Sequence, residues 1–288
     1  MKCNLCPRKC NIERHNLKGF CKMPLLPKVA RAALHLWEEP IISGNKGSGT
    51  VFFSGCSLRC IYCQNYEISR GNIGKEISVS RLAEIFKELE DQGAHNINLV
   101  SPTHYVHAII EALKIYRPQI PIVYNSSGYE SVETLKLLKD YVDIYLIDFK
   151  YTDSAKADEY SQAPDYPEVA KEAINECYRQ QPQCILKDGI LQKGVIVRHL
   201  VLPQNTKTAI EVFDWVRENT QGAYFSLMSQ YLPFGDALNH KALGRKITRR
   251  EYEKVVDYIC EFDYPNVFIQ ERESSNEKFI PLFDLKGV

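Results

Sequence analysis

The sequence lacks an excess of either charge: 36 Lys and Arg balance 36 Asp and Glu over 288 residues. A neutral chain has no global positive field for non-specific nucleic-acid binding. A membrane-length apolar run is missing too. The longest stretch free of Asp, Glu, Lys and Arg, Gln92–Ile110, contains His, Asn, Ser, Thr and Pro, which excludes a span there. No apolar segment follows Lys2 and Cys3, so the chain is expected in the cytoplasm rather than secreted. Repeats and low-complexity tracts are absent. The run Gly44-Asn-Lys-Gly-Ser-Gly-Thr50 lacks the closing Gly-Lys-Ser/Thr of a Walker loop and reads as a lead-in to a strand.

Cysteine is in unusual supply. Of ten, seven lie in the first 63 residues: Cys3, Cys6, Cys10, Cys21, Cys56, Cys60 and Cys63. In an intracellular chain such density points to metal binding or redox chemistry rather than a disulfide framework. Cys177, Cys184 and Cys260 are scattered and read as packing residues. Residues 1–49, cysteine-rich, basic and Pro-bearing, form a candidate metal-binding extension, and residues 50–288 the main domain.

From Thr50 onward apolar runs alternate with amphipathic segments. Strands are expected at Val51–Ser54, Ile97–Val100, Ile120–Tyr124, Val142–Phe149, Gly194–Leu202 and Ala223–Met228, with a short seventh at Asn266–Ile269. Helices fall between them: Arg81–Gln92 capped by Ser80, and a later one opened by the capping box Thr248-Arg-Arg-Glu251. Repeated βαβ units imply a parallel sheet. Six units are too few for a closed eight-stranded barrel, so the expected fold is α/β, a partial (β/α)6 TIM-type barrel with a Cys-rich N-terminal extension.

The strongest motif is Cys56-Ser-Leu-Arg-Cys60-Ile-Tyr-Cys63, directly after the first strand. In parallel α/β folds active sites are built on loops at the C-terminal strand ends. Three thiolates on one tight loop suit three irons of a [4Fe–4S] cluster and leave the fourth for a substrate or cofactor. Zinc is the other reading, with His104 as fourth ligand.

Gly55-Cys-Ser-Leu-Arg-Cys-Ile-Tyr-Cys-Gln-Asn65 resembles the cluster loop of radical S-adenosylmethionine (radical SAM) enzymes. It is most similar to activating enzymes of glycyl-radical enzymes such as pyruvate formate-lyase. The resemblance spans roughly residues 36–270 and includes the lead-in Trp37-Glu-Glu-Pro-Ile-Ile-Ser-Gly44, typical of an uncharacterised activase-like subgroup. It implies an oxidoreductase in which the unique iron binds the methionyl amino and carboxylate groups of S-adenosylmethionine. Reductive cleavage then gives methionine and a 5′-deoxyadenosyl radical for hydrogen-atom abstraction. A flavodoxin- or ferredoxin-type reductant is implied, and as target a glycyl-radical enzyme or a small molecule or peptide. A non-catalytic iron–sulfur or zinc electron carrier is the remote alternative.

By family position the resemblance assigns cofactor contacts to Tyr62, Ser101, Thr103, Asn125, Ser127, Gly128, Asp148, Lys150 and Arg198. Two departures stand out. Val100-Ser-Pro-Thr-His104 replaces the usual Gly-Gly-Glu, and no cysteine occurs between Cys63 and Cys177, where many activating enzymes insert extra cluster ligands. A dry barrel mouth is expected from Phe52, Phe53, Tyr62 and Tyr124, and His104 with His107 reads as a solvated pair on one helix face. Cys3, Cys6, Cys10 and Cys21, spaced C-x2-C-x3-C-x10-C, offer four thiolates for an auxiliary [4Fe–4S] cluster or a zinc ion.

Overall fold

A computed structural model describes residues 2–271 and 281–288. The chain begins with β1 (Lys28–His35), the short α1 (Pro40–Ser43), β2 (Ser48–Phe53), α2 (Tyr66–Ser69) and β3 (Lys75–Glu76). Alternation follows: α3 (Val79–Asp91), β4 (Ile97–Val100), α4 (Val106–Ile115), β5 (Ile122–Ser126), α5 (Val132–Leu137) and β6 (Ile144–Asp148). The last part holds α6 (Ser154–Ser161), α7 (Tyr166–Gln180), β7 (Ile185–Lys187), β8 (Ile190–Leu200), α8 (Thr206–Asn219), β9 (Tyr224–Met228), α9 (Arg249–Cys260) and β10 (Val267–Ile269).

The described strands form one sheet in the order β10-β9-β8-β6-β5-β4-β2-β1-β3, with β7 paired to β8. From β2 to β10 every neighbouring pair on that path is parallel. The two ends, β10 and β3, do not pair, so the barrel is open, as the unit count implied. No helix among the described residues is long and apolar enough to cross a membrane.

Strand alternation sorts the side chains into two cores. Val51, Phe53, Leu99, Tyr124, Tyr145, Val197 and Phe225 face outward and pack under the helices, beside Leu82, Phe86, Ile109 and Phe213. Val123, Ile144, Leu146 and Ile196 face inward, where Ile41 and Ile42 of α1 join them as a plug. Asn96 Nδ2 donates to the Ile42 carbonyl at 2.8 Å and Ser226 Oγ to Glu39 Oε1 at 2.9 Å, so this plug is tied to the barrel wall by hydrogen bonds.

Several boundaries differ from the sequence expectation. β2 runs across the 49/50 division, and residues 28–49, grouped with the extension by composition, contribute β1 and the plug. β1 is antiparallel to β2 and lacks the βαβ pattern that marks the others. β8 starts at Ile190 rather than Gly194 because Asp188 (φ 53°) and Gly189 (φ 77°) turn β7 back onto it. Two consecutive positive φ values make the tight hairpin turn that Asp-Gly favours.

The cap of α3 is Ser78, whose side chain accepts from the Arg81 N–H, and not Ser80. The capping box Thr248/Glu251 is formed as expected. Ser78→Ala should lower stability by about 1 kcal/mol in urea denaturation, and Ser80→Ala by less than about 0.5 kcal/mol. Equal effects would contradict the assignment.

Candidate active site

The Cys56–Cys63 loop leaves the C-terminal end of β2 and is pinned on every side. Cys56 Sγ accepts the N–H groups of Leu58 at 3.3 Å and Arg59 at 3.4 Å. Arg59 takes φ +55°, and its carbonyl accepts from Arg70 Nη2 at 2.6 Å. The Ile61 N–H reaches the Tyr160 carbonyl at 2.9 Å. Gly55 has φ +81°, and a Cβ there would lie 2.2 Å from Met23 Cγ, so this position requires glycine.

All three loop thiols border one cavity of about 200 Å3. Glu38, Tyr62, Ser101, Asn125, Ser127, Asp148, Lys150 and Arg198 line it as well. These residues come from the C-terminal ends of β2, β4, β5, β6 and β8, except Glu38, which precedes α1. A larger recess of about 740 Å3, at the opposite ends of the strands, is lined by Lys46, His95 and Lys187 among others and holds no thiol.

The cavity is built around a closed charge network. The Asp148 carboxylate accepts from Lys150 Nζ at 2.6 Å and from Arg198 Nε at 2.9 Å. Arg198 Nη2 donates to Asn125 Oδ1 at 2.7 Å, and Asn125 Nδ2 to Glu38 Oε2 at 2.8 Å. Asn98 Nδ2 also donates to Glu38, at 3.2 Å, and Arg198 Nη1 stands 3.5 Å from it. Burial alone would push the Asp148 carboxyl up, but the Arg198 and Lys150 cations override it and hold it below its ordinary range. Burial likewise opposes the charge on Lys150, and Asp148 restores it.

Gly128 serves the site through its backbone. Its φ is +80°, and a Cβ would meet the Asp148 carbonyl at 2.1 Å, so the loops after β5 and β6 can approach only through glycine. The Tyr166 hydroxyl lies 2.8 Å from the Ser127 carbonyl and 2.9 Å from that of Asp148, stapling the same two loops. Ser101 takes φ +58° and donates its N–H to the Asn125 carbonyl at 2.9 Å.

Other expected residues lie elsewhere. Thr103 is buried away from the cavity, and its hydroxyl donates to Glu130 at 2.6 Å. Phe52 and Tyr62 border the cavity, but Phe53 and Tyr124 point into the helix-covered core, as strand alternation dictates. His104 is not solvated. It is buried, its Nε2 lies 2.8 Å from the Ser54 carbonyl, and burial lowers its pKa to about 3. It stands outside the cavity, so the zinc reading loses its fourth ligand, while His107 is exposed.

Comparison with known proteins decides the family. The radical SAM superfamily model matches residues 50–216, more than half of the sequence. The chain belongs to the radical SAM superfamily. It is 31% identical over 276 residues to an uncharacterised protein, MJ0674, of Methanocaldococcus jannaschii, covering 92% of this chain and 76% of that one. SuiB of Streptococcus suis, bound to S-adenosylmethionine, superposes with a TM-score of 0.53 at 16% identity, over 75% of this chain and 48% of SuiB. Methylornithine synthase (PylB) gives 0.51 at 15% identity, over 75% of this chain and 61% of PylB. The chain spans less than two thirds of either solved neighbour, and those likenesses carry the fold.

Radical SAM membership implies a [4Fe–4S] cluster and S-adenosylmethionine. The residues present fit both. Three free thiols open on one cavity, and no three His, Cys, Asp or Glu side chains among the described residues stand together as a single-ion site. Burial and the neighbouring Cys60 and Cys63 push the Cys56 thiol up to about 12, a penalty on the thiolate that a cationic cluster reverses.

Two acidic residues escaped the sequence reading, Glu38 at the cavity and Glu39 below it. Burial raises the Glu39 carboxyl from its ordinary 4.5 to about 7, against the pull of Arg198. Native stability therefore falls as pH rises through the interval from 4.5 to about 7, where the unfolded chain ionises first. Glu39→Gln keeps an acceptor for Ser226 and removes this dependence. Its stability relative to wild type should grow between about pH 5 and about pH 8, by on the order of 2 kcal/mol. A pH-independent difference in urea midpoints would contradict the buried-acid account.

Proposed function

We infer that this protein is a radical SAM oxidoreductase that reductively cleaves S-adenosylmethionine at the Cys56, Cys60 and Cys63 loop and uses the product radical to abstract a hydrogen atom. One observation carries the reading: the three thiols share their cavity with the Asp148–Lys150–Arg198 network, at the C-terminal ends of parallel strands. When bound, the cluster and its nucleotide supply a one-electron cleavage of the C5′–S bond, giving methionine and a 5′-deoxyadenosyl radical. The polypeptide supplies everything else. Cys56, Cys60 and Cys63 would hold the cluster through three thiolates, one fewer than its four irons.

Lys150 and Arg198 offer cations to the carboxylate and ribose oxygens, held in place by Asp148. Glu38 faces the cavity as the counter-charge for a cationic portion of the cofactor, a role for which Val100-Ser-Pro-Thr-His104 has no acidic side chain. Ser101, Asn125 and Ser127 provide neutral polar contacts, and Tyr62 an aromatic face for the adenine. Tyr62 is itself fixed edge-on against Tyr151, Tyr160 and Tyr231, with its hydroxyl accepting from Tyr151 at 2.8 Å. Phe52, Val100 and Met228 keep the cavity wall apolar where water would quench a radical.

The target follows from chemistry less directly. Likeness of the cluster loop to activating enzymes supports a glycine of a partner glycyl-radical enzyme as the hydrogen-atom donor, with a flavodoxin- or ferredoxin-type reductant giving the cluster its electron. Direct action on a small molecule or peptide is supported by the solved neighbours, SuiB bound to a precursor peptide and methylornithine synthase. Deuterium transferred into 5′-deoxyadenosine from a labelled peptide glycine or a labelled small molecule separates the two.

Anaerobically reconstituted protein with dithionite and S-adenosylmethionine should release 5′-deoxyadenosine, and Cys60→Ala should release none. Wild-type turnover by that variant would remove the loop from the mechanism. Lys150→Ala should weaken S-adenosylmethionine binding about tenfold or more in equilibrium dialysis, the worth of a charge-assisted hydrogen bond. Unaltered affinity would place Lys150 outside the cofactor contacts.

A further inference from the structure

Residues 2–27 form a lobe with no helix, one isolated bridge between Lys2 and Glu13, and only Arg14, Met23 and Pro27 fully buried. A segment this short cannot hold its shape by a core, and needs a disulfide or a metal. No disulfide joins its cysteines, all of which are free. What the lobe does contain is four thiols on neighbouring turns. Cys6, Cys10 and Cys21 lie within electrostatic reach of one another, as do Cys3 and Cys21. The Phe20 N–H points at Cys10 Sγ at 3.4 Å, the same kind of donor that Cys56 receives from Leu58 and Arg59.

The lobe is seated on the outer side of the Cys56–Cys63 loop. Arg8, between Cys6 and Cys10 in sequence, donates through Nε to the Ser57 carbonyl at 2.9 Å and through Nη2 to the Ser161 carbonyl at 2.9 Å. Its guanidinium lies 3.8 Å from the centre of the Phe20 ring. Arg59 Nη1 donates back to the Phe20 carbonyl at 3.2 Å. Cys21 and Met23 lie directly against Gly55, the residue before the first loop thiol. Each contact on the loop is therefore made by a residue within two positions of Cys6, Cys10 or Cys21.

We propose that Cys3, Cys6, Cys10 and Cys21 hold a thiolate-ligated metal centre that locks this lobe onto the back of the Cys56–Cys63 loop. No three of the described side chains stand together as a single-ion site, so the wider [4Fe–4S] cube, which four thiolates complete without a free position, is the centre that fits. The centre stands whether or not the function proposed above is right; that the locked loop carries the radical cluster rests on that reading.

The test uses the full chain with Cys56, Cys60 and Cys63 all changed to Ser, purified without oxygen, so that any metal found belongs to the lobe. It should carry about four irons with sulfide per chain. Negligible iron, or one zinc in its place, would overturn the proposal, and would leave the function of the other loop untouched. Adding Cys6→Ser should remove the metal, and trypsin should then cut after Lys18 and Lys22 about tenfold faster, because cleavage follows the population of the opened lobe. Retained metal would overturn the ligand set, and unchanged cleavage would overturn the lock. If the added substitution prevents folding, the comparison is made on the triple variant before and after metal removal by a chelator, with the same two readings.

Discussion

Arg198 reaches three side chains at once inside an unclosed barrel, and the site exists because those contacts balance. Its guanidinium meets Asp148, Asn125 and Glu38, while Asp148 also accepts from Lys150. Charges removed from water are tolerated only when paired and hydrogen-bonded, and here each is. The network spans the ends of β5, β6 and β8, so it sets the spacing of the strand ends around the cavity as well as its charge. A sheet that stops short of closure would otherwise have its interior filled by water. Ile41 and Ile42 fill the lower half with apolar volume, and the Glu38–Glu39 step above them turns the upper half polar.

The cysteine loop stands against this network and is held from outside by elements that share no sequence pattern with the barrel. Arg70 of the segment after α2 holds the Arg59 carbonyl, Tyr160 of α6 holds Ile61, and Arg8 of the N-terminal lobe holds Ser57. A loop whose backbone is so constrained presents its thiols in a fixed arrangement, the preorganisation that both cluster assembly and directed radical chemistry need. The fold thus divides the work: inward strand residues supply charge and polarity, and peripheral residues supply rigidity.

Much of this was legible in the sequence, for physical reasons that also explain the failures. The helices and parallel strands from α3 to α9 follow from periodicity, because each must bury one face, except α6 and α7, which the pattern across Ser154–Gln181 left unclear. Asp148, Lys150 and Arg198 were assigned by family position, and alternation puts the first two on one face of their strand end. β1 and the α1 plug were not legible, since an antiparallel strand and a four-residue helix break the βαβ rhythm. Glu38 was missed for the same reason, as it lies on that connection and not on a strand end. Thr103 and His104 were misplaced because a 3-10 turn over Thr103–Tyr105 rotates them into the core, toward Glu130 and the Ser54 carbonyl. Phe53 and Tyr124 were assigned to the mouth by residue type, where register puts them under the helices.

The proposed chemistry requires an iron that the three loop thiols leave for the nucleotide. Electron–nuclear double resonance on the reduced, oxygen-free protein, with S-adenosylmethionine carrying 15N in its amino group, tests it most directly. A hyperfine coupling from that nitrogen to the cluster, lost when Cys56, Cys60 and Cys63 are replaced, is the expected result. A cluster signal with no coupling to the labelled nucleotide would contradict it.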